Sequence, residues 1–510
     1  MSIVHRVLLR FDRATGLRLV VLATACVAGS LCNPLGCFAA GPLAELSGTV
    51  AYVGATLIDG SGTAPIADAV IIVAGDRIVA AGPANTTPVP PGARRVALAG
   101  RWIIPGLIDM HVHFYESGRP PWMVPEIQST VGSTVLANEA ERVRTRLPYT
   151  LSRFLCAGVT SALSLSGPDQ IEFRAREISE EDNSIAPRVF ISGKLIANFP
   201  TFEPEFLGEN SIQSAKTPAE ARRKVLDLHR HGVDVIKLLF ASANEGWVTP
   251  PIDDKAAIAM LEAATTEAHL QGLPVLLHTG TLQAAKLFMH SGLDAFAHLP
   301  FDAPADEEYI ASALRARVAV TTTIGLNERY VDVLRGTLQL LDIEKECADP
   351  EVLRTYETLR QDYPPEILKQ ALDGMVDAEK ASRAANASSI RKIVAAGIPL
   401  IVGSDSSHLG TPHGTSIHYE MLRLQEMGVS PMDIIVASTR NAARVLRRDQ
   451  VLGTVTPGKV ADFLVLRADP LARIQNVQQI EWVVKGGKAY LQKGIQASSM
   501  LPEPGAQMRR

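Results

Sequence analysis

The sequence predicts an α/β protein: a (β/α)8 TIM-type barrel over residues 101–448, with a small β-sandwich domain built from both chain ends. The middle of the chain alternates eight short apolar, strand-like runs with helical patterns, as βα units do. Both flanks read instead as β-branched strands joined by glycine turns. The 510 residues, 46% of them hydrophobic, are enough for a barrel of about 250 residues or more plus a smaller unit.

Residues 1–40 are expected to be a signal peptide. Arg6, Arg10, Arg13 and Arg18 precede an apolar stretch from Leu19 to Leu31, and small residues follow up to Ala39 and Ala40. That order describes a secretory signal. The expected location is therefore periplasmic or secreted, with an uncleaved membrane anchor at the same segment as the rival. No run reaches the about 18 apolar residues of a membrane-spanning helix, so no stable span is expected in the mature protein. Cys26, Cys32 and Cys37 fall in the leader, leaving Cys156 and Cys347 in the body. An oxidising compartment would permit those two to pair, but their spacing does not decide it.

Residues 41–100 form the first part of the β domain. Val50 to Val53 and Ala69 to Val73 are strand-like, with turns at Asp59 to Gly62 and Gly75-Asp76. Residues 449–495 form the second part, with strands near Asp462 to Leu466 and Ile480 to Val484 and a turn at Lys485 to Lys488. Residues 496–510 are a tail.

The eight barrel runs are 102–108, 159–163, 189–191, 235–239, 274–277, 295–297, 318–323 and 399–402. Helix starts lie between them. Thr217-Pro218-Ala219-Glu220 combines an N-cap, a proline at the first helical position and a capping-box glutamate, and Ser430 to Asp433 has the same form. Gly272 is placed to end a helix that begins near Asp253. Two insertions stand out. Residues 198–216 carry Phe199, Phe202 and Phe206, and residues 324–390 are helical and charged. Loops after barrel strands surround the mouth, so both are candidate substrate walls. A surface elaboration or subunit contact explains the second equally well.

Five runs end in or contain a potential metal ligand. The first ends at His111 and His113, the fourth contains Lys237, the fifth reaches His278, the sixth His298 and the eighth Asp405. In a barrel these strand ends meet at one mouth. His111 and His113, two apart on a strand, face one side. Imidazole and carboxylate are the usual ligands of zinc and similar ions. Each residue alone reads as chance, as a core histidine or as a helix cap; their joint placement points to metal. Lys237 is the odd member, because a protonated amine cannot ligate a cation. Reacted with carbon dioxide, it becomes an anion with two oxygens that can bridge two ions.

Pro105 to His113 resembles the opening motif of the amidohydrolase superfamily. Gly232 to Lys237 resembles the carboxylated-lysine strand of its binuclear members, Gly403-Ser404-Asp405 its last-strand motif, and Pro457 to Asp462 the return to the β domain. His413-Gly414 followed by His418-Tyr419-Glu420 is most similar to the imidazolonepropionase-related group, which includes Xaa-Pro dipeptidases and ochratoxinase-like amidases. The resemblance implies one ion on His111, His113 and Asp405, a second on His278 and His298, and carboxylated Lys237 bridging them, with zinc the expected metal. It also implies homo-oligomers as a common state. Relatives often carry a second histidine two residues after the fifth-strand ligand, where this chain has Gly280.

The expected function follows: hydrolysis of an amide in a dipeptide or N-acyl amino acid by a metal-activated water, with Asp405 as general base. A cyclic amide, lactone or phosphoester at the same ions is the alternative, and a catalytically silent metal-binding barrel the non-enzyme one. The partner is a small-molecule substrate. Nucleic acid is not expected, because 50 Lys and Arg against 54 Asp and Glu leave no basic surplus to displace counterions. There is no nucleophile-elbow, dinucleotide or phosphate-loop motif. His408, His413 and His418 follow the eighth run; His413 is placed to face the mouth, and packing explains each of the three equally well. His229, His231, His269 and His290 read as structural. Arg119, Arg188 and Lys194 are candidates to meet a substrate carboxylate.

Overall fold

The computed structural model describes residues 48–200, 206–243 and 253–498. The expected signal peptide over residues 1–40, Phe202 and most of the expected tail lie outside the described residues. Among the described residues, no helix is long and apolar enough to cross a membrane.

The two flanks meet in one eight-stranded sheet. Lys488–Leu491, Ile480–Lys485 and Phe463–Leu466 come from the far end of the chain and pair antiparallel. Thr49–Leu57, Ile66–Ala74 and Arg77–Pro83 come from the near end and also pair antiparallel. Thr49–Leu57 has three partners: Ile66–Ala74 on one side, and Arg94–Ala97 then Trp102–Pro105 on the other. Tyr52, Ile71, Ile103, Phe463 and Val484 share a buried core, with Tyr52 edge-on to Phe463 at 5.1 Å. The turn at Gly486-Gly487 has two consecutive positive φ angles, 56° and 75°. This is the geometry a two-residue hairpin requires.

The first barrel run divides in two. Trp102–Pro105 pairs with Phe463–Leu466 in the β domain, and only Leu107–Val112 enters the barrel. The change occurs at Gly106, whose N–H donates to Asp462 while the next N–H donates to Gly158. A Cβ at Gly106 would lie 2.5 Å from Thr160 Cγ2, so the crossing point has no room for a side chain.

The barrel strands are Leu107–Val112, Val159–Ser164, Arg188–Ile191, Ile236–Leu239, Val275–His278, Ala295–Phe296, Ala319–Thr321 and Leu400–Ile401, and every ladder among them is parallel. The third strand resumes as Leu195–Ala197, which pairs with Ile236–Leu239. Asp234 N–H donates to Ile191 O at 2.8 Å and bridges that irregularity. The first and last strands close the ring: Met110 N–H donates to Val402 O, and Asp405 N–H to His111 O at 2.8 Å.

Helices follow their capping signals. Thr217 accepts from Glu220 N–H at the start of Pro218–Arg230, and Asp253 caps Asp254–Leu270. The insertion after the seventh strand is helical: Gly325–Arg335, Asp342–Cys347, Pro350–Asp362 and the first part of Pro365–Ala395. Cys347 is disulfide-bonded to Cys156 across 191 residues, tying this insertion to the end of helix Ser133–Cys156. Phe206 in the other insertion is buried and meets Tyr115 and Trp122 edge-on, so it packs over the loop that follows the first strand.

Candidate active site

All six residues singled out at the strand ends lie together at one end of the barrel. His111 Nε2 and His113 Nε2 are 3.4 and 3.1 Å from Asp405 Oδ1. The ligand atoms of these three residues all fall within 4.8 Å of one another. The His298 ring lies 4.7 Å from that of His111 and 4.4 Å from that of His278. Lys237 is 2% exposed, and its charge acts on His111, His278, His298 and Asp405.

Backbone and hydroxyl groups orient the imidazoles. His111 Nδ1 donates to Ala297 O at 3.1 Å and His113 Nδ1 to Ser166 O at 3.3 Å. His298 Nδ1 lies 2.9 Å from Thr323 Oγ1. Each such bond leaves Nε2 for an ion, the usual arrangement at metal sites. Asp109, also buried, fixes the first strand to the eighth. Its carboxylate accepts from Ser404 N–H at 3.0 Å and from Ser404 Oγ at 2.6 Å. Gly403 makes the approach possible, since a Cβ there would lie 2.7 Å from His111 Cβ. Asp405 itself has φ 52°, a left-handed conformation that aspartate tolerates better than most residues.

The electrostatics suit ligation. Burial holds His111 and His298 well below the ordinary imidazole value and His278 down at about 3, so all three are neutral lone-pair donors at neutral pH. Burial alone would raise the Asp405 carboxyl. His111 and His408, with hydrogen bonds from His113 and His408, instead hold it well below the carboxylate range. Burial lowers Lys237 to about 7, and its Nζ has no hydrogen-bond partner among the described residues.

Two residues beside this set were missed or underrated in the sequence. Glu116 follows the first strand and is 7% exposed. His408 Nδ1 lies 3.6 Å from Glu116 Oε2, and its Nε2 lies 3.5 Å from Asp405 Oδ1. Burial opposes the charge on His408, but Glu116 and Asp405 outweigh it and push its pKa up to about 9. The available signal was position: each is three residues past a ligand, His113 or Asp405.

Of the two readings of His413, at the mouth or packing, the structure shows packing contacts. Its Nε2 donates to His113 O at 3.1 Å and its ring packs on Phe154, so it braces the end of the first strand, and it lines a cavity with Glu116 and Ser407. His418 is buried against Ala157 O, while His229, His231, His269 and His290 are exposed and away from the site. Arg188, at the opposite end of its strand, pairs with Asp462 of the β domain. Arg119 pairs with Glu139 and Lys194 with Asp169.

The amidohydrolase family model matches residues 102–490. The chain is 26% identical over 441 residues to an imidazolonepropionase of Rhizorhabdus wittichii, covering 80% of this chain and 90% of that one. It shares a fold with a Xaa-Pro dipeptidase with bound methionine in the active site (TM-score 0.65, 19% identity, 87% of this chain and 100% of that one). It shares it also with A. niger ochratoxinase (TM-score 0.62, 18% identity, 87% and 96%). The chain therefore belongs to the amidohydrolase family and is a metal-dependent hydrolase of carbon–nitrogen bonds.

Proposed function

We propose that this protein is an exported binuclear amidohydrolase that cleaves the amide bond of a dipeptide or an N-acyl amino acid. One observation carries the reading: His111, His113, His278, His298 and Asp405 converge around a buried amine, Lys237, that has no hydrogen-bond partner among the described residues. His111, His113 and Asp405 would hold one divalent ion, and His278 and His298 the second. Zinc suits this nitrogen and carboxylate set.

As a carbamate, Lys237 would supply oxygen ligands to both ions. A buried amine held near neutrality is a nucleophile for carbon dioxide: the neutral amine forms the N–C bond as one C=O double bond opens to a carboxylate oxygen, the nitrogen releases one proton, and an anion replaces the neutral amine. The new oxygens would satisfy the otherwise orphaned position.

When bound, the ions lower the pKa of a water and polarise the scissile carbonyl. Asp405 then receives the proton of the attacking water and delivers it to the leaving nitrogen. The products are a carboxylate and an amine. Ala297 O and Ser166 O keep the His111 and His113 rings aimed during this cycle.

The basic and apolar leader supports export, as does a buried cystine, which persists in oxidising compartments. The likeness to a Xaa-Pro dipeptidase and to ochratoxinase supports the substrate class. The relation to an imidazolonepropionase favours a second reading, hydrolysis of a cyclic amide. A hydrolysis screen with zinc-loaded protein separates them, covering Xaa-Pro and other dipeptides, N-acyl amino acids, cyclic amides, lactones and phosphotriesters. Open-chain amides are expected to be turned over fastest. A preference of orders of magnitude for another class rejects the first reading.

A further inference from the structure

We infer that Glu420 is a positioning residue for the second ion, acting on His298 through the Thr323 loop. The inference rests on the reading of His278 and His298 as a ligand pair. Glu420 lies on helix Ile417–Glu426, which follows the eighth strand, whereas His298 follows the sixth. The loop after the seventh strand joins them.

Glu420 is 1% exposed, and its two oxygens accept consecutive backbone N–H groups. Oε2 takes that of Ile324 at 2.8 Å, and Oε1 takes that of Gly325. Gly325 permits this approach: a Cβ there would lie 3.0 Å from Glu420 Oε1 and 2.9 Å from the Tyr419 ring. Two residues before Gly325, Thr323 has φ 45°. That conformation is costly for a β-branched residue and persists only when its surroundings over-determine it. Thr323 N–H is held by Gly403 O at 3.1 Å, and Glu420 holds the two amides that follow.

The strained residue is the one that meets His298. Thr323 Oγ1, buried, lies 2.9 Å from His298 Nδ1. Accepting the Nδ1–H there selects the tautomer whose Nε2 is free for an ion. Without Glu420, two buried N–H groups lose their acceptor and the loop has reason to leave φ 45°. Thr323 Oγ1 then leaves His298. A purely structural role for Glu420, anchoring the start of helix Gly325–Arg335, would give a loss of stability with no particular effect on one ion.

Zinc content against buffered free zinc, measured on the whole protein by elemental analysis, tests this. Wild type is expected to take two ions per chain. E420Q, a same-size replacement, should keep the first at wild-type affinity and bind the second about ten- to a hundredfold more weakly. T323V should do the same, T323S should retain wild-type affinity, and the double variant E420Q/T323V should be no weaker than the weaker single one. Wild-type affinity in E420Q or T323V, additive losses, or a T323S as weak as T323V overturns the inference. If E420Q does not fold, the contrast between T323V and T323S decides, and equal affinities overturn it. A wild type that binds one ion overturns the binuclear reading and this inference with it; two ions with no effect of the variants overturns this inference alone.

Discussion

The two halves of the site are built by different means. On the side of strands one and eight, His111, His113 and Asp405 are locked by hydrogen bonds: Asp109 grips Ser404, Asp405 N–H reaches His111 O, and backbone carbonyls aim both rings. On the side of strands four to six, Lys237 has no hydrogen bond among the described residues, and His278 and His298 are placed by their strands and by Thr323. The first half is pre-organised by the polypeptide. The second carries a buried amine with no hydrogen-bond partner among the described residues, which is costly in a protein interior.

The largest expected effect breaks the second half alone. Lys237→Met removes the bridging position, so the zinc content should fall by at least one ion per chain and turnover should vanish; elemental analysis and an amide-hydrolysis assay check this together. Intact mass of wild type under carbon dioxide should show one added carboxyl that the variant lacks. Next comes the chemistry of the first half. Asp405→Asn keeps the shape and loses the proton acceptor, so kcat should drop about 10²- to 10⁴-fold while His111 and His113 retain zinc. An Asp405→Asn protein with two ions and full kcat would sink the proton-transfer role.

A smaller effect tests whether the first half is held by Asp109. Asp109→Asn weakens the grip on Ser404 and on the His111 backbone N–H while leaving every ligand side chain in place, and zinc affinity should fall about ten- to a hundredfold at one site only. Competition with a graded chelator reads it. The smallest lies outside both halves. Glu172 is fully buried against Ser164 Oγ, and burial raises its carboxyl to about 7. A raised folded-state value contributes stability that is complete below the unfolded value and lost as pH rises through about 7. Glu172→Gln should therefore gain melting temperature relative to wild type on going from pH 6 to pH 8.5. A constant difference would show that Glu172 does not titrate in that range.

Much of the first comparison was legible in the sequence, because a ligand at the end of a strand run declares both its element and its mouth. His111, Lys237, His278 and Asp405 all read this way. Glu116 and His408 did not, since loops carry them to the site and no periodicity describes a loop. The division of the first run at Gly106 was hidden too. Residues 102–108 are apolar almost throughout, and an unbroken apolar run does not say which of two sheets each half joins. The Cys156–Cys347 pair needed distance, which spacing does not supply.

The seam between the first and last strands has one more consequence. Asp109 and Ser404 are 295 residues apart in the chain, yet they touch beside the site. The trio His111, His113 and Asp405 therefore does not exist until the final strand has docked on the first, a contact of very long range of the kind that slows folding. An ion held by that trio would bind the closed ring and not the open chain. By mass action it would draw the ring shut, so a bound metal would act as a clasp on the barrel as well as a reagent within it.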